Sequence, residues 1–189
     1  MVGKALFTTV VLLASVPFVT LNDVFKCAPN LCKKLDMRKF VGTREPIWTW
    51  NTTAKEDISC KVDVMKSLAE GSILFTRKFH ISSELRPIAE NYEGIFLKKQ
   101  QNVMQLREPG HNFMAKETIL YHSGRYHCAV IRVTPTLSSH LPYYDLRVWN
   151  SVVSQGPHKK CITRFMKHGQ GGHVIYRSTC QGILPYKGR

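Results

Sequence analysis

Six cysteines carry the clearest chemistry in this sequence, because thiols in proteins pair as disulfides, bind metal or react. They are Cys27, Cys32, Cys60, Cys128, Cys161 and Cys180. The chain has no Cys-x-x-Cys pair, and its histidines lack ligand spacing near the cysteines, so the pattern does not predict a zinc site. An even number of cysteines in an exported chain instead predicts three disulfides and no free thiol.

Export is predicted by the first 20 residues or so. Lys4 precedes an apolar run over 5–16, and Pro17 ends that run. The run is shorter than the roughly 20 apolar residues that a membrane-spanning helix needs, so it indicates a secretory signal, with a buried N-terminal helix as the alternative. We expect cleavage between 15 and 22. The expected product is a secreted, extracellular protein without a membrane span, with one domain over 21–189.

The sequence favours a binding protein over an enzyme. It contains no Gly-x-Ser-x-Gly, His-Glu-x-x-His or P-loop motif, and no cofactor is implied. Its 27 Lys and Arg residues against 13 Asp and Glu give a formal charge of +14. This excess suits anionic partners such as glycosaminoglycans or acidic proteins, although solubility alone would also explain it. Export argues against nucleic acid, and Asn51-Thr52-Thr53 is a glycosylation motif.

Short strands are predicted from Pro46 onward by alternating patterns and by β-branched and aromatic residues. These segments lie at 58–64, 73–81, 95–97, 118–121, 126–133 and 143–149. Turn-forming residues separate them, which indicates a sandwich or an up-and-down barrel without deciding between the two. One short helix is predicted within 31–40, a second over 159–168, and a last short strand around 173–177.

The order of these motifs resembles the tick salivary lipocalins of the histamine-binding family over nearly the whole mature chain. Residues 47–53, Ile-Trp-Thr-Trp-Asn-Thr-Thr, are similar to the family's first strand. Residues 144–151, Tyr-Asp-Leu-Arg-Val-Trp-Asn-Ser, are similar to its late Tyr-Glu-Leu-Trp-Val strand, followed by Gly156-Pro157 and the helix that carries Cys161. The resemblance implies an all-β fold, an eight-stranded antiparallel up-and-down barrel with a short N-terminal helix and one C-terminal α-helix packed on the barrel.

The same resemblance implies two disulfides, Cys60–Cys180 and Cys128–Cys161. The two remaining cysteines are then expected to form Cys27–Cys32. It also implies a monomeric saliva protein that sequesters a small host mediator in its cavity and so counters inflammation or haemostasis. The alternative function is an inhibitor that binds a host protein through its basic surface or its barrel-mouth loops.

If Cys60 reaches a C-terminal segment outside the barrel, alternation turns Lys61, Asp63 and Met65 toward the cavity. The late strand offers Tyr143, Asp145, Arg147 and Trp149 as its cavity face. Aromatic side chains elsewhere complete the candidate site. The ligand-binding candidates are therefore Trp48, Trp50, Lys61, Asp63, Phe75, Tyr143, Asp145, Arg147 and Trp149.

Lys61 and Arg147 leave the charge of the ligand open. Amine-binding relatives have an acidic residue and an aromatic residue at these two positions, so the resemblance to them implies histamine or serotonin as the ligand only in part. Isolated cavity charges are costly, so the two cations could pair internally, Lys61 with Asp63 and Arg147 with Asp145. They could instead hold an anionic, fatty-acid-derived mediator, with Arg147 as its anchor. A biogenic amine, neutralised by the two aspartates, is the third possibility.

Overall fold

The protein is described here by a computed structural model that covers residues 35–137 and 140–185. The predicted signal segment and the Cys27–Cys32 pair lie outside these residues. Three α-helices, nine strands and a final 3₁₀ helix follow one another in the described residues: α1 Met37–Val41, β1 Ile47–Thr52, β2 Ile58–Leu68, β3 Ser72–Ile81, β4 Ile88–Leu97, β5 Gln100–Arg107, β6 Phe113–Ser123, β7 Cys128–Pro135, β8 Tyr143–Trp149, α2 Asn150–Val153, α3 Lys159–Met166, β9 His173–Val174 and the 3₁₀ helix Ser178–Ile183.

Strands β1 to β8 form a closed antiparallel barrel. Each strand from β2 to β7 pairs with the next one along the chain, and β1 closes the ring by pairing with both β8 and β2. The register at the closure sets Ile47 opposite both Trp149 and Asp63. Closure leaves no free edge among these eight strands, while the two-residue β9 adds to β1 from outside. The predicted eight-stranded up-and-down barrel is confirmed.

The helices and the last strand differ in detail from the sequence predictions. Helix α1 begins only at Met37, because the Asp36 side chain accepts a hydrogen bond from the Lys39 amide at 3.3 Å and so caps the first turn. Helix α3 matches the predicted C-terminal helix. The predicted strand around 173–177 is only two residues long: the buried Ile175 and Tyr176 come after it, and the 3₁₀ helix begins at Ser178.

Two hydrophobic clusters lie on opposite sides of the barrel wall. The inner cluster fills one end of the barrel beneath Met37 and Phe40 of α1. The outer cluster lies between the wall and the C-terminal segment, and it includes Trp48, Phe165 and Tyr176. Alternation along each strand sends successive side chains to these two clusters. No helix in 35–137 or 140–185 is long and apolar enough to cross a membrane.

Both disulfides implied by the family resemblance are present, and both lie in the outer cluster. Cys60–Cys180 joins β2 to the 3₁₀ helix across 120 residues, and Cys128–Cys161 joins β7 to α3 across 33 residues. No free cysteine occurs among the described residues. The two bridges hold the C-terminal segment against the barrel, where the Cys60 amide also donates to the Ile175 carbonyl at 2.9 Å.

Candidate functional site

Charged side chains from four strands meet inside the barrel. Lys61 and Asp63 come from β2, Arg77 from β3, Glu117 from β6, and Asp145 and Arg147 from β8. Each occupies an inward position of its strand. Arg77, for example, lies on the same face of β3 as the inward Phe75 and Phe79. We call these six residues the charge network. It contains three cations and three carboxylates, so its net charge is zero.

Arg147 lies at the centre of the charge network and is 1% exposed. Its guanidinium forms two parallel bonds of 2.8 Å to the Glu117 carboxylate and a third of 3.0 Å to Asp145 Oδ2. Asp63 Oδ2 lies 3.5 Å from the same guanidinium. This paired arrangement uses the planar fork of donors that arginine offers and lysine lacks.

The other two cations complete the charge network. Arg77 donates to both oxygens of Asp63, at 2.7 and 2.8 Å, and to Glu117 Oε1 at 3.1 Å. Lys61 Nζ donates to Asp145 Oδ2 at 2.9 Å. Thr52 Oγ1 donates to the other Asp145 oxygen at 2.8 Å, because a bulge between Thr49 and Asn51 turns Thr52 inward.

Burial and pairing with cations shift the pKa values of the carboxylates in opposite directions. Burial alone would raise the pKa of Glu117, but the charges of Arg147 and Arg77 outweigh it and lower that pKa to about 2. For Asp145 the opposing cations are Lys61 and Arg147, and they hold its pKa well below the ordinary value. Both carboxylates are 0% exposed and remain ionised at neutral pH.

Burial also shifts the pKa values of Lys61 and Tyr143, which line the cavity. Burial lowers the pKa of Lys61, although Asp145 opposes this effect. Burial, followed by the charge of Asp145, raises the pKa of Tyr143, so its phenol keeps its proton and can donate a hydrogen bond. The Lys61 ammonium lies 5.5 Å from the centre of the Tyr143 ring.

A cavity of about 340 Å³ opens on one side of the charge network. Lys61, Arg77 and Tyr143 contribute to its lining at the end next to the network, and the 67% exposed Leu137 lies at its mouth. Most of the remaining wall is apolar, with Glu90, Glu56 and His140 as polar exceptions. The other lining residues are Glu56, Ile58, Phe79, Glu90, Tyr92, Leu106, Met114, Ala115, Val133, Pro135 and His140. Its volume is near the lower end of ordinary ligand pockets, about 300–1,000 Å³.

The opposite end of the barrel is filled. A void of about 20 Å³, lined in part by Asp63, Met65 and Arg147, remains there. Trp149 Nε1 donates to the Phe40 carbonyl at 3.1 Å and so attaches α1 to this end. At Gly94 an added Cβ would lie 2.3 Å from the Met104 sulfur, which shows how closely side chains fill the space. The charge network therefore separates an open chamber from a closed one.

The structure places the nine candidate residues in three groups. Lys61 and Tyr143 line the open cavity, and Asp145 lies directly behind Lys61. Asp63, Phe75 and Arg147 face the closed end, where Trp149 also lies beneath α1. Arg147, expected as the anchor of a ligand carboxylate, is instead held by protein carboxylates and does not line the open cavity.

Trp48 and Trp50 need correction as cavity residues. Both point away from the barrel interior, since alternation turns Ile47 and Thr49 inward. Each ring contacts Tyr176 of the C-terminal segment, with ring centres 5.1 Å apart in both pairs. Asn51 of the glycosylation motif is half-buried between β8 and β9, and its Oδ1 is buried without a hydrogen-bond partner among the described residues.

Arg77 and Glu117 are functional candidates that the sequence analysis missed. The sequence does contain a signal for them, because each lies on the otherwise apolar face of its strand. Arg77 lies between Phe75 and Phe79 on one strand, and Glu117 lies between Ala115 and Ile119 on another. A charge at an inward position needs a partner of opposite sign. Two such residues of opposite charge on different strands therefore indicate a buried pair.

Comparisons with known proteins bear on the fold. No family model matches the chain, and no curated protein matches it by sequence. Among solved structures it is similar to japanin from Rhipicephalus appendiculatus bound to cholesterol, with a TM-score of 0.55 and 8% identity, over 73% of this chain and 96% of that one. The siderocalin Ex-FABP matches with a TM-score of 0.45 and 11% identity, over 66% of this chain and 78% of that one. The closed barrel with its two flanking helices and the similarity to japanin establish that this chain has the lipocalin fold.

Proposed function

We propose that this chain is a secreted binding protein that sequesters a small molecule with an apolar body and one anionic end, such as a fatty-acid-derived host mediator. One observation carries the proposal: Lys61 and Arg77 face the open cavity, whereas the carboxylates that pair with them lie behind them. The inner end of the cavity therefore presents cations to a ligand, although the charge network as a whole is neutral.

The donors needed to hold an anion are available at that end. Lys61 has three N–H donors, and its bond to Asp145 uses one of them. The bonds from Arg77 to Asp63 and Glu117 use Nε and Nη2, and none of them uses Nη1. The neutral Tyr143 hydroxyl adds a further donor beside Lys61. A ligand carboxylate would thus meet two cations and a phenol in a partly dry site.

The amine alternative is less well supported. A protonated amine needs a carboxylate, but Asp145 and Glu117 are fully buried and already bonded to cations. Glu56 and Glu90 in the cavity wall are the carboxylates that an amine could reach, and Glu90 accepts a hydrogen bond from the neutral Tyr92 hydroxyl. An amine entering the cavity would reach Lys61 before either buried carboxylate, and like charges repel.

A secreted role in saliva is part of the same proposal. Its support is the resemblance of the motifs to tick salivary lipocalins and the two disulfides, which persist in oxidising compartments. Japanin, whose structure holds cholesterol, is a lipocalin-fold protein with a lipophilic ligand. The apolar wall of the present cavity is consistent with an occupant of that general kind.

Three chain-matched probes test the charge of the ligand: decanoate, its methyl ester and decylamine. Titration calorimetry should rank decanoate first and decylamine last. A charge-assisted bond is worth about 1.5–3 kcal/mol, so Lys61→Met should weaken decanoate binding roughly ten- to a hundredfold. The methyl ester should bind Lys61→Met and the parent protein equally, which shows that the variant keeps its cavity.

Lys116→Met is the matched control, because Lys116 is exposed on the outer face of β6. It should leave the decanoate affinity unchanged. Histamine, serotonin and a leukotriene extend the series to true mediators, and the leukotriene should bind most tightly. Tight binding of histamine or decylamine, or equal decanoate affinity in Lys61→Met and the parent, would contradict the proposal.

A further inference from the structure

The outer surface contributed by residues 113–185 carries only positive charge among the charged residues that the structure describes. Between Phe113 and Pro185 the sequence has two acidic residues, Glu117 and Asp145. Both are 0% exposed and belong to the charge network. Eight Lys and Arg residues of the same stretch are exposed: Lys116, Arg125, Arg132, Lys159, Lys160, Arg164, Lys167 and Arg177. The formal charge of the chain is therefore unevenly distributed over its surface.

Five of these cations follow one hairpin and form what we call the basic strip: Arg125, Lys160, Arg164, Arg132 and Lys116. Arg125 lies in the turn between β6 and β7, and Lys160 and Arg164 come from α3, which Cys128–Cys161 holds against β7. Arg132 and Lys116 continue the line on the outer face of β7 and β6. The hairpin register runs from Ser123 opposite Cys128 to Lys116 opposite Thr134, a length of about 20 Å.

Aromatic rings position the strip without neutralising it. The Arg164 guanidinium lies 5.5 Å from the centre of the Tyr121 ring. Arg125 and Lys160 both lie within 6 Å of the Tyr126 ring, at 5.7 and 5.9 Å, and His158 stacks on that ring. None of the ion pairs among the described residues includes a cation of the strip. A ring restrains a cation but leaves its full charge available.

We infer that the basic strip is a binding site for a linear sulfated polysaccharide of the glycosaminoglycan class. A row of unneutralised cations on a hairpin and on the helix disulfide-bonded to it matches a chain that carries anionic groups along its length, and binding would release the counterions of that chain. An anionic membrane fits this surface less well. It would need aromatic or bulky apolar side chains to insert, and Ile162 and Met166 are the only large apolar side chains exposed on α3.

Binding to a heparin oligosaccharide, measured by calorimetry at several salt concentrations, tests the inference. The strip variant carries three neutralising changes, Arg125→Gln, Lys160→Gln and Arg164→Gln. The control variant removes the same charge from exposed sites on the β3–β4 and β4–β5 connections, by Arg86→Gln, Lys98→Gln and Lys99→Gln. At about 0.15 M salt the strip variant should lose about tenfold or more in affinity and show a smaller salt slope, whereas the control should change less than about twofold.

Desulfated heparin and phosphatidylserine vesicles test whether the strip binds a sulfated polysaccharide or an anionic membrane. Desulfated heparin should bind at least about tenfold more weakly than heparin, because fewer anions face the strip. Phosphatidylserine vesicles should not bind at the same salt concentration. Equal losses in the two triple variants, equal binding of desulfated heparin, or vesicle binding without heparin binding would overturn the inference. The free energy of urea unfolding is measured in parallel, and an unchanged value in the strip variant shows that the barrel is intact whether or not the proposed cavity function holds.

Discussion

Removing the Arg147 side chain should unbalance the charge network and destabilise the whole barrel. In Arg147→Met, two buried carboxylates and the partly buried Asp63 would face two cations, and Glu117 would keep a single bond, to Arg77 at 3.1 Å. Breaking a buried ion pair by removing one partner costs about 3–5 kcal/mol, because an uncompensated charge stays behind. Many domains have only about 5–15 kcal/mol of stability in total. Arg147→Met should therefore lower the free energy of unfolding by about 3–5 kcal/mol at neutral pH.

A second substitution should restore part of that loss. Glu117→Gln in the Arg147→Met background leaves two cations and two carboxylates, Lys61 with Asp145 and Arg77 with Asp63. The double variant should be more stable than Arg147→Met by about 2 kcal/mol, although it departs further from the parent sequence. Arg132→Met, on the exposed outer face of β7, is the control and should change stability by less than about 0.5 kcal/mol.

The dependence on pH gives an independent check. The pKa of Glu117 in the folded protein, about 2, lies below its unfolded value near 4.5. Its ionised form therefore stabilises the fold above pH about 4.5, by roughly 3 kcal/mol, and this contribution is lost as the pH falls toward 2. Without Arg147 the pKa of Glu117 should rise, so the difference in stability between variant and parent should shrink at acidic pH.

Urea unfolding followed by tryptophan fluorescence, with the disulfides intact, measures these free energies between pH 3 and pH 7. The reasoning fails if Arg147→Met costs less than about 1 kcal/mol at pH 7, or if Glu117→Gln does not improve it. It also fails if the cost of Arg147→Met grows as the pH is lowered.

The remaining predictions concern covalent structure. Replacing both cysteines of Cys60–Cys180 by alanine should cost about 5 kcal/mol and replacing those of Cys128–Cys161 about 4 kcal/mol, because the first bridge closes a 120-residue separation and the second one of 33; equal costs in urea unfolding would contradict this ordering. Peptide mapping without reduction should recover Cys27–Cys32, and a link from either cysteine to another would refute it. Asn51 should carry glycan in insect or mammalian cells, seen as a glycosidase-sensitive mass that Asn51→Gln abolishes; an unchanged parent mass would show that its half-buried position blocks the modification.

The sequence predicted which face of a strand turns inward wherever alternation was strict. Lys61, Asp63 and Met65 share the barrel interior because side chains alternate with a period of two. The two main disulfides were also predicted, through the resemblance of motif order. The prediction fails at β1 because alternation was not applied there: Trp48 and Trp50 resemble cavity aromatics, but alternation with the inward Ile47 and Thr49 points them outward.

Pairing partners were harder to predict than faces. Lys61 was expected to pair with Asp63, two residues away on the same strand, yet it bonds Asp145 across the barrel, while Arg77 takes Asp63. Side chains two apart on a strand point in parallel and stand roughly 7 Å apart, so a partner on another strand often comes closer. Which strands face one another depends on closure through β1. That long-range pairing cannot be predicted from the alternation of residues within a single strand.

The outer cluster has a consequence for how such a protein can change. Both described disulfides, the late helix and the C-terminal segment stabilise the wall from outside, and the exposed Leu137 at the cavity mouth does not belong to that outer cluster. Substitutions at an exposed mouth position such as Leu137 should thus alter what the cavity accepts at small cost in stability. Selectivity at the cavity mouth and stability at the outer wall can then be optimised separately, which makes this barrel a suitable starting point for directed evolution of new binding specificities.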